Sequence, residues 1–189
     1  MPYGDSRRGD SAVASCEMKD AAIICAIRQW PLHSGAYPVT PTLTHIADFL
    51  VEVGAPIAVG ETAQGLRRVV PITGGIIQGA RLNGTILNAG ADFQIIRPDG
   101  FTRLEARYVA RLDDGTLIYV ENCGVRFGPP DVMARINRGE PVDPADVYFR
   151  STPRFETAEP AHQWLTRPLF IASGARYPDR VALSVFEVG

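Results

Sequence analysis

The residues of this chain that could perform chemistry are ionisable and aromatic side chains spread over β-prone segments, outside any familiar catalytic motif. A carboxylate beside an arginine can act as a general base, while the arginine stabilises the negative charge that develops on an enolate or alkoxide oxygen. The same pair can instead be a structural ion pair at the end of a sheet. The candidate side chains are Asp92, Glu105, Arg107, Tyr108, Asn122, Arg126, Tyr148, Arg150, Glu156 and Trp164.

The sequence lacks the usual metal, hydrolase and nucleotide motifs. His33, His45 and His162 have no metal-ligand spacing to one another or to the cysteines, so we predict no metal site. A Gly-x-Ser-x-Gly nucleophile motif is also missing. The glycines of 60–65 are not followed by the Lys-Ser/Thr of a phosphate loop, and those of 74–90 lack the strand–loop–helix context of a dinucleotide site. We therefore expect no cofactor.

The composition indicates one globular domain without a strong electrostatic field. A chain of 189 residues is long enough to bury a sizeable core. Its net charge of −2 and isoelectric point near 5.9 argue against nucleic acid or an anionic membrane as a partner. No apolar run approaches the roughly 20 residues of a membrane span. Three scattered cysteines argue against a disulfide framework, so we expect a soluble cytoplasmic protein.

Two hairpin signals define the strands that must position the candidates. Pro98-Asp99-Gly100 and Asp113-Asp114-Gly115 are turn sequences in which glycine supplies a positive φ, so they predict three consecutive antiparallel strands. Further β-prone runs bring the expected number to about nine or ten short strands. A single short helix is predicted over 131–137, with Asp131 at an N-cap-like position and Gly139 as its stop. The pattern predicts an all-β fold, either a sandwich or a closed barrel.

The strand pattern begins at Pro38, and the chain is divided there. Residues 1–37 are predicted to form an N-terminal extension that is partly disordered, because the first part of this segment is polar and carries no strand pattern. Residues 38–189 hold all the predicted strands and are expected to form the β domain.

The segment 101–112 shows the clearest division into two faces. Apolar and charged residues alternate along it, as expected for a strand with one buried face. Tyr108 lies on the apolar face, and Glu105 and Arg107 lie on the charged face. Charged strand faces often simply face water, so this division alone does not assign a role to the two charged residues.

The register between neighbouring strands depends on the lengths of the two hairpin loops. If both loops have two residues, Asp92, Arg107 and Asn122 fall in one cross-strand row, with Gln94 beside Glu105. A three-residue loop, which the proline at the first corner favours, shifts the register by one and breaks that row. We favour the two-residue loops because that register separates the polar from the apolar face.

Three long motifs of the sequence resemble a known family. They are PITGGIIQGARLNGTILNAGADFQIIRPDG, ARYVARLDDGTLIYVENCGVRFGPP and VYFRSTPRFETAEPAHQWLTRPLFIASG, and in this order they resemble the domain-of-unknown-function family 3237 over about residues 38–188. The resemblance implies a single antiparallel β-barrel with a central cavity, often assembled as a trimer. It also implies a possible activity, since at least one fungal relative is reported to catalyse a cofactor-independent ring closure that adds a hydroxyl across an activated alkene.

The chain departs from this family at two places. Phe93 stands where the family commonly has tryptophan, and Ile76-Ile77 stands where smaller or polar residues are usual. Both differences would alter the shape of a pocket.

These observations are interpreted as a cofactor-independent enzyme, either a cyclase, an isomerase or a lyase, that acts on a small molecule inside the barrel. Asp92 and Glu105 are the candidate general acid/base groups, and Arg107 would hold or polarise a substrate oxygen. The other candidates are assigned to substrate binding: Gln94, Tyr108, Asn122, Tyr148, Arg150, Glu156 and Trp164. The alternative is a barrel that binds a small ligand without chemistry.

The expected partners are a small-molecule ligand or substrate and further copies of the same chain. The aromatic residues between Tyr148 and Trp164 offer apolar surface for a homo-oligomer, and a trimer is the state predicted. Neither nucleic acid nor a membrane is expected as a partner.

Overall fold

The computed structural model describes residues 39–189, and nine antiparallel strands account for most of them. The predicted N-terminal extension, 1–37, lies outside the described residues. The strands are β1 (Leu43–Val53), β2 (Ile57–Thr62), β3 (Gly65–Gln78), β4 (Gly84–Ile96), β5 (Thr102–Leu112), β6 (Leu117–Phe127), β7 (Tyr148–Glu156), β8 (Leu169–Arg176) and β9 (Arg180–Val188).

Eight of these strands close into a barrel. The hydrogen-bonded order is β1-β9-β8-β7-β6-β5-β4-β3-β2, and a further pairing between β1 and β3 joins the two sides. The short strand β2 pairs with β3 as an extra strand outside this closed set. The expectation of a single antiparallel β-barrel is confirmed, and the sandwich alternative is wrong. Closure pairs both edges of the eight-stranded sheet, which removes the unpaired edges that an open sheet would expose.

Alternating side chains divide the barrel into an apolar interior and a polar outside. Along β5 the residues at every second position are buried, and the charged residues between them are exposed or half-exposed. The same alternation runs through β7. The larger interior side chains are Ile46, Phe49, Val51, Ile72, Ile77, Ile86, Leu104, Tyr108, Ile118, Val120, Phe155, Phe170, Leu183 and Val185.

Both hairpin loops that flank β5 have three residues. In the first, the Gly100 amide donates to the Arg97 carbonyl at 2.9 Å, and Gly100 has φ 83°. In the second, the Gly115 amide donates to the Leu112 carbonyl at 2.9 Å, and Gly115 has φ 89°. A turn followed by a glycine in the left-handed region is the usual form of a three-residue hairpin loop. Gly100 and Gly115 therefore correctly predicted the positions of the two turns.

The register that we favoured from the sequence is wrong by one residue at each loop. Asp92 lies opposite Ala106, and Ala106 lies opposite Asn122, while Arg107 pairs with Glu121. The two shifts cancel across β5, so Asp92 and Asn122 still share a row on the inner face. Arg107 moves to the outer face because a shift of one residue reverses the side on which a strand residue lies.

A short helix forms a small hydrophobic cluster of its own with Val142 and Val147 of the connection that follows it. The helix α1 (Pro130–Asn137) matches the predicted span, but Asp131 lies in its first turn and the N-cap is Pro129. Gly139 follows the helix with φ 79°, which confirms the predicted stop. The helix buries three side chains in this cluster, namely Val132, Met133 and Ile136.

Two 3₁₀ helices, Pro144–Asp146 and Pro160–Thr166, occupy the connections on either side of β7. No helix in the described part of the chain is long and apolar enough to cross a membrane.

Candidate functional site

A small cavity lies inside the barrel, between an apolar wall and a polar wall. Its volume is about 40 Å³, while a single water molecule needs roughly 10–15 Å³. The apolar wall comes mainly from β1, β3 and β9, and the polar groups come from β4, β6 and β7. The lining residues are Val51, Val53, Ile72, Asp92, Leu104, Ala106, Tyr108, Asn122, Gly124, Arg126, Phe149, Ser151, Val181 and Leu183.

Asp92 is the carboxylate of this cavity, and neighbouring polar groups hold it in position. Its Oδ2 accepts a hydrogen bond from Gln94 Nε2 at 2.5 Å, and its Oδ1 accepts one from the Glu105 backbone amide at 3.1 Å. Gln94 in turn accepts a hydrogen bond from Arg68 Nε at 2.7 Å. Asp92 lies deep in the protein but keeps some exposure, because it borders the cavity.

Burial is the main influence on the acidity of Asp92. It raises the pKa of this carboxyl above its ordinary value, because the interior disfavours the charged form. The hydrogen bond from Gln94 and the positive charges of Arg126 and Arg68 oppose this rise. An aspartate with a raised pKa can both accept and donate a proton nearer to neutral pH, as general acid/base catalysis requires.

Arg126 is a buried cation with unpaired donors. Its side chain is only 1% exposed, and its Nε and Nη2 atoms have no hydrogen-bond partner among the described residues. Burial and the charge of Arg68 lower the pKa of Arg126 to about 10, so the guanidinium remains protonated at neutral pH. Its guanidinium carbon lies 5.9 Å from the Phe149 ring centroid, within the range of a cation–π contact.

Two further polar atoms of the cavity wall are buried without partners. Asn122 Oδ1 and Ser151 Oγ lack a hydrogen bond within residues 39–189. A buried polar group that is left unpaired costs about 1–3 kcal/mol, and such groups in native structures call for an explanation. Asn122, Ser151 and Arg126 all line the cavity, so unsatisfied polar groups are concentrated in its wall.

The charges in and around the cavity are predominantly positive. Asp92 is influenced by the charges of Arg68 and Arg126, and Arg176 also acts on both Arg126 and Asp92. Burial lowers the pKa of Arg68 and of Arg176 as well. Asp179 is a second carboxylate that acts on Arg176, so three guanidinium groups outnumber two carboxylates, an excess of positive charge that favours an anionic ligand. Among the described residues, no cluster of three or more His, Cys, Asp or Glu side chains could hold a metal ion.

Four of the residues that were assigned a role from the sequence lie on the inner face. Asp92, Tyr108 and Asn122 line the cavity, and Gln94 is buried behind Asp92. The Tyr108 side chain is 2% exposed, and burial raises the pKa of its phenol. The ring therefore stays neutral, and it acts here as part of the wall.

Glu105 and Arg107 lie on the outer face of β5, away from the cavity. The Glu105 carboxylate pairs with Arg103, and only its backbone amide reaches Asp92. Arg107 Nη2 lies 3.6 Å from Glu121 Oε1, and the Arg107 side chain is 46% exposed. These two residues lie outside the cavity because the register differs by one residue from the predicted one, which places the charged face of β5 on the outside of the barrel.

The other predicted binding residues are also outside the cavity. Tyr148 and Arg150 line an open groove on the outer face of β5 to β8, and Glu156 is exposed at the end of β7. Trp164 lies in a 3₁₀ helix, where it packs against the core and its ring lies 4.2 Å from the Arg81 guanidinium.

Three polar residues in or behind the cavity wall were assigned no role from the sequence. Arg126 was among the candidates but had no role, and Arg68 and Ser151 were not named. A signal existed, since Arg126 is in phase with the core residues Ile118 and Val120 along β6. Arg68 is in phase with buried residues of β3 in the same way. A polar residue at an apolar position of an alternating strand is the pattern that marks this site.

Comparisons of sequence confirm the family. The family model for proteins of unknown function, DUF3237, matches residues 41–188. A UPF0311 protein of Rhodopseudomonas palustris is 47% identical over 152 residues, which cover 79% of this chain and 99% of that protein. A UPF0311 protein of Clostridium acetobutylicum is 40% identical over 139 residues, which cover 73% of this chain and 88% of that protein.

Solved structures share the barrel. A conserved protein of unknown function from Rhodopseudomonas palustris has a TM-score of 0.76 at 44% identity, covering 81% of this chain and 100% of its own. A beta-barrel like protein from Acinetobacter baumannii has a TM-score of 0.73 at 35% identity, covering 82% of this chain and 100% of its own. An enzyme from Penicillium herquei has a TM-score of 0.61 at 18% identity, covering 82% of this chain and 99% of its own. At that identity the similarity concerns the fold alone.

Proposed function

This chain belongs to the DUF3237 family of proteins of unknown function, and from the geometry of its cavity we propose that it is a cofactor-independent enzyme. The reaction is a cyclisation, isomerisation or elimination that proceeds by general acid/base catalysis on a small, partly apolar molecule. The observation that carries this proposal is the presence of Asp92 and the unpaired guanidinium of Arg126 in the wall of one cavity.

The proposed roles follow from the chemistry of the two groups. The Asp92 carboxylate removes a proton from a carbon or hydroxyl of the substrate, and the negative charge that develops moves to a substrate oxygen. Arg126 donates hydrogen bonds to that oxygen and stabilises it. Asp92 then returns the proton to another atom of the substrate, so neither an oxidant nor a second substrate is needed.

The surroundings support this division of roles. A partly enclosed apolar cavity excludes most water, so the interaction between a charged group and a developing oxyanion is stronger than in solution. Gln94 and the Glu105 amide hold the Asp92 carboxylate in one orientation. The proposal gives Glu105 and Arg107 no contact with the substrate, since their side chains lie on the outer face.

The second candidate function is ligand binding without turnover. The feature that favours it is the apolar wall formed by Val51, Ile72 and Leu183, which would hold an apolar ligand without any proton transfer. The two functions differ in the need for Asp92, because binding by the apolar wall does not require a base.

Deuterium exchange provides a test that does not require the natural substrate. The protein is incubated in D₂O with a panel of small ketones, 1,3-dicarbonyl compounds and hydroxy-enones, and deuterium at the carbon next to the carbonyl is followed by proton NMR. Removal and return of a proton by Asp92 would exchange this position. We expect catalysed exchange that falls roughly 100-fold or more in Asp92→Asn.

The matched control is Asp113→Asn, which removes an exposed carboxylate of the second hairpin loop. This variant should exchange deuterium at the wild-type rate. Binding of panel compounds without any exchange would contradict the enzyme and support the ligand-binding barrel. Exchange that persists in a folded Asp92→Asn variant would rule out Asp92 as the base.

A further inference from the structure

Arg126 lines the cavity, and one edge of its guanidinium has no hydrogen-bond partner among the described residues. Nε and Nη2 share that edge, and both are buried and unpaired within the described part of the chain. The side chain is 99% buried, so these groups do not exchange freely with bulk water. Two parallel N–H groups on one edge of a guanidinium match the two oxygens of a carboxylate, which arginine binds in a bidentate manner.

We propose that this edge of Arg126 binds the carboxylate group of the ligand, and that the ligand class is therefore short organic acids with an apolar body. This inference rests on the proposed function for the location of the site, and it adds the chemical class of the molecule. The carboxylate oxygens would take the places of the missing acceptors at Nε and Nη2, and one of them would be the substrate oxygen that Arg126 stabilises in the proposed reaction.

The charges around the cavity agree with a monoanion. Three arginines, Arg68, Arg126 and Arg176, act on the interior together with two carboxylates, Asp92 and Asp179. A bound carboxylate reduces this positive excess without reversing it. The Ser151 hydroxyl is also unpaired at the cavity, and it can rotate to donate a further hydrogen bond to the ligand.

The size and lining of the cavity favour a carboxylate over an inorganic oxyanion. About 40 Å³, on the measure by which a single water molecule needs roughly 10–15 Å³, accommodates a carboxylate with two or three further carbon atoms. The wall opposite Arg126 includes Val51, Ile72 and Leu183, which offer no hydrogen bonds to the additional oxygens of a phosphate. A short aliphatic tail, in contrast, would be well accommodated by this wall.

The test compares butyrate with butyramide, which has a similar size and shape but no charge, and with inorganic phosphate. Binding is followed by NMR through the ¹⁵N–¹H signal of Arg126 Nε and by isothermal titration calorimetry. The variants are Arg126→Lys, which keeps the charge but loses the paired N–H edge, and Arg111→Lys, which makes the same change at an exposed position of β5.

We expect butyrate to shift the Arg126 signal and to bind at least tenfold more tightly than butyramide and phosphate. Arg126→Lys should lower butyrate affinity about tenfold or more, since hydrogen bonds between charged groups are lost. Arg111→Lys should bind butyrate like the wild type. Equal binding of butyrate and butyramide, or tighter binding of phosphate, would overturn the proposal. An equal loss of butyrate affinity in Arg126→Lys and Arg111→Lys would also overturn the proposal.

Asn122→Asp keeps the test decisive if Arg126→Lys does not fold. The substitution preserves the shape of the side chain and places a negative charge beside the proposed carboxylate position. Butyrate affinity should fall about tenfold or more while butyramide binding is unchanged. Unchanged butyrate affinity would overturn the proposal.

The outcome is separable from that of the proposed function. Butyrate binding at Arg126 together with a complete lack of deuterium exchange would leave this inference standing and make the protein a carboxylate-binding barrel. Catalysed exchange that depends on Asp92, combined with the failure of butyrate to bind, would leave the enzyme standing and exclude this ligand class.

Discussion

Gln94 joins Asp92 to a buried cation that Asp92 does not contact by a hydrogen bond. Gln94 Nε2 donates to Asp92 Oδ2 at 2.5 Å, and Gln94 Oε1 accepts from Arg68 Nε at 2.7 Å. The neutral amide of Gln94 thus lies between the Asp92 carboxylate and the Arg68 guanidinium, and it forms one hydrogen bond with each of them. Together with the Glu105 amide, which donates to Oδ1, this arrangement fixes the orientation of the Asp92 carboxylate in the cavity wall.

Gln94→Met should destabilise the protein and change the acidity of Asp92. The substitution removes both hydrogen bonds and leaves two buried charged groups with an unpaired atom, so we expect a loss of about 1–3 kcal/mol in the free energy of unfolding. The pKa of Asp92 should rise further, because the Gln94 hydrogen bond lowers it. Urea unfolding and NMR titration of the Asp92 carboxyl carbon measure the two effects.

The control for this change is Gln64→Met, which replaces an exposed glutamine in the turn between β2 and β3. It should alter the free energy of unfolding by no more than about 0.5 kcal/mol. A Gln94→Met variant as stable as Gln64→Met, with an unchanged pKa of Asp92, would show that the link from Arg68 to Asp92 is not formed in solution.

Most of the strands could be predicted because their signals are local, whereas their closure into one barrel was implied by the family resemblance. Strict alternation and glycine-bearing turns marked β5 and β6, and Gly139 marked the end of the helix. The register was not determined by these signals. It depends on whether a turn of the Pro98-Asp99-Gly100 type closes a loop of two or three residues, and a change of one residue moves a whole strand face from inside to outside.

This dependence explains what could be predicted of the site. Asp92 on β4 and Asn122 on β6 were correctly placed in one row because the register errors at the two loops cancel between these strands. Arg107 lies on β5, between the two loops, so the error at one loop assigned it to the cavity although it faces outward. The inward position of Arg126 was missed because a charged residue on an apolar strand face contradicts the rule by which the faces were assigned. Such exceptions to the pattern are expected at functional sites.

The contribution of Asp92 to stability should decrease as the pH rises. Since the pKa of Asp92 in the folded protein lies above the ordinary value of 3.8, the folded state binds more protons than the unfolded chain between these two values. Stability therefore falls as the pH increases from about 4 to the folded-state pKa, and it changes no further above that. The difference in unfolding free energy between the wild type and Asp92→Asn, measured by urea unfolding at a series of pH values, should fall accordingly. A difference that increases with pH would mean that the pKa of Asp92 is lowered rather than raised.

Gly124→Ala should distort the wall of the cavity. A Cβ atom at this position would lie 2.7 Å from Ser151 Cβ and 2.8 Å from the Arg150 carbonyl oxygen, so the neighbouring strand would have to move. Overpacking of this kind costs about 1–3 kcal/mol in the free energy of unfolding. Gly54→Ala is the matched control, because its nearest neighbour, Thr73 Cγ2, would be at 3.5 Å. Equal stability of the two variants in urea unfolding would contradict the close approach of β6 and β7.

The ion pair between Arg107 and Glu121 should contribute little to stability. Its atoms are 3.6 Å apart, and the two side chains are 46% and 38% exposed, so water screens the attraction. A double-mutant cycle with Arg107→Met and Glu121→Gln should give a coupling free energy below about 1 kcal/mol. A coupling of several kcal/mol would indicate that this face is buried in the native assembly.

We predict that the protein is a homotrimer, and the outer surface of the barrel suggests where subunits meet. Phe101, Phe127 and Tyr148 form an aromatic row, with ring centroids 6.0 Å and 4.7 Å apart between successive members. Phe127 and Tyr148 remain 42% and 47% exposed in the single chain. Association would bury these rings and lower the free energy of the assembly.

Light scattering coupled to size exclusion should return about three times the chain mass of 20.5 kDa at micromolar concentration. Phe127→Glu should shift the mass toward the monomer, since it would place a charge within the buried row. Val59→Glu makes the same change at an exposed position of the extra strand β2 and should leave the mass unchanged. A wild-type mass near 20.5 kDa would contradict the trimer. A trimer that Phe127→Glu leaves intact would mean that the subunits meet elsewhere on the barrel.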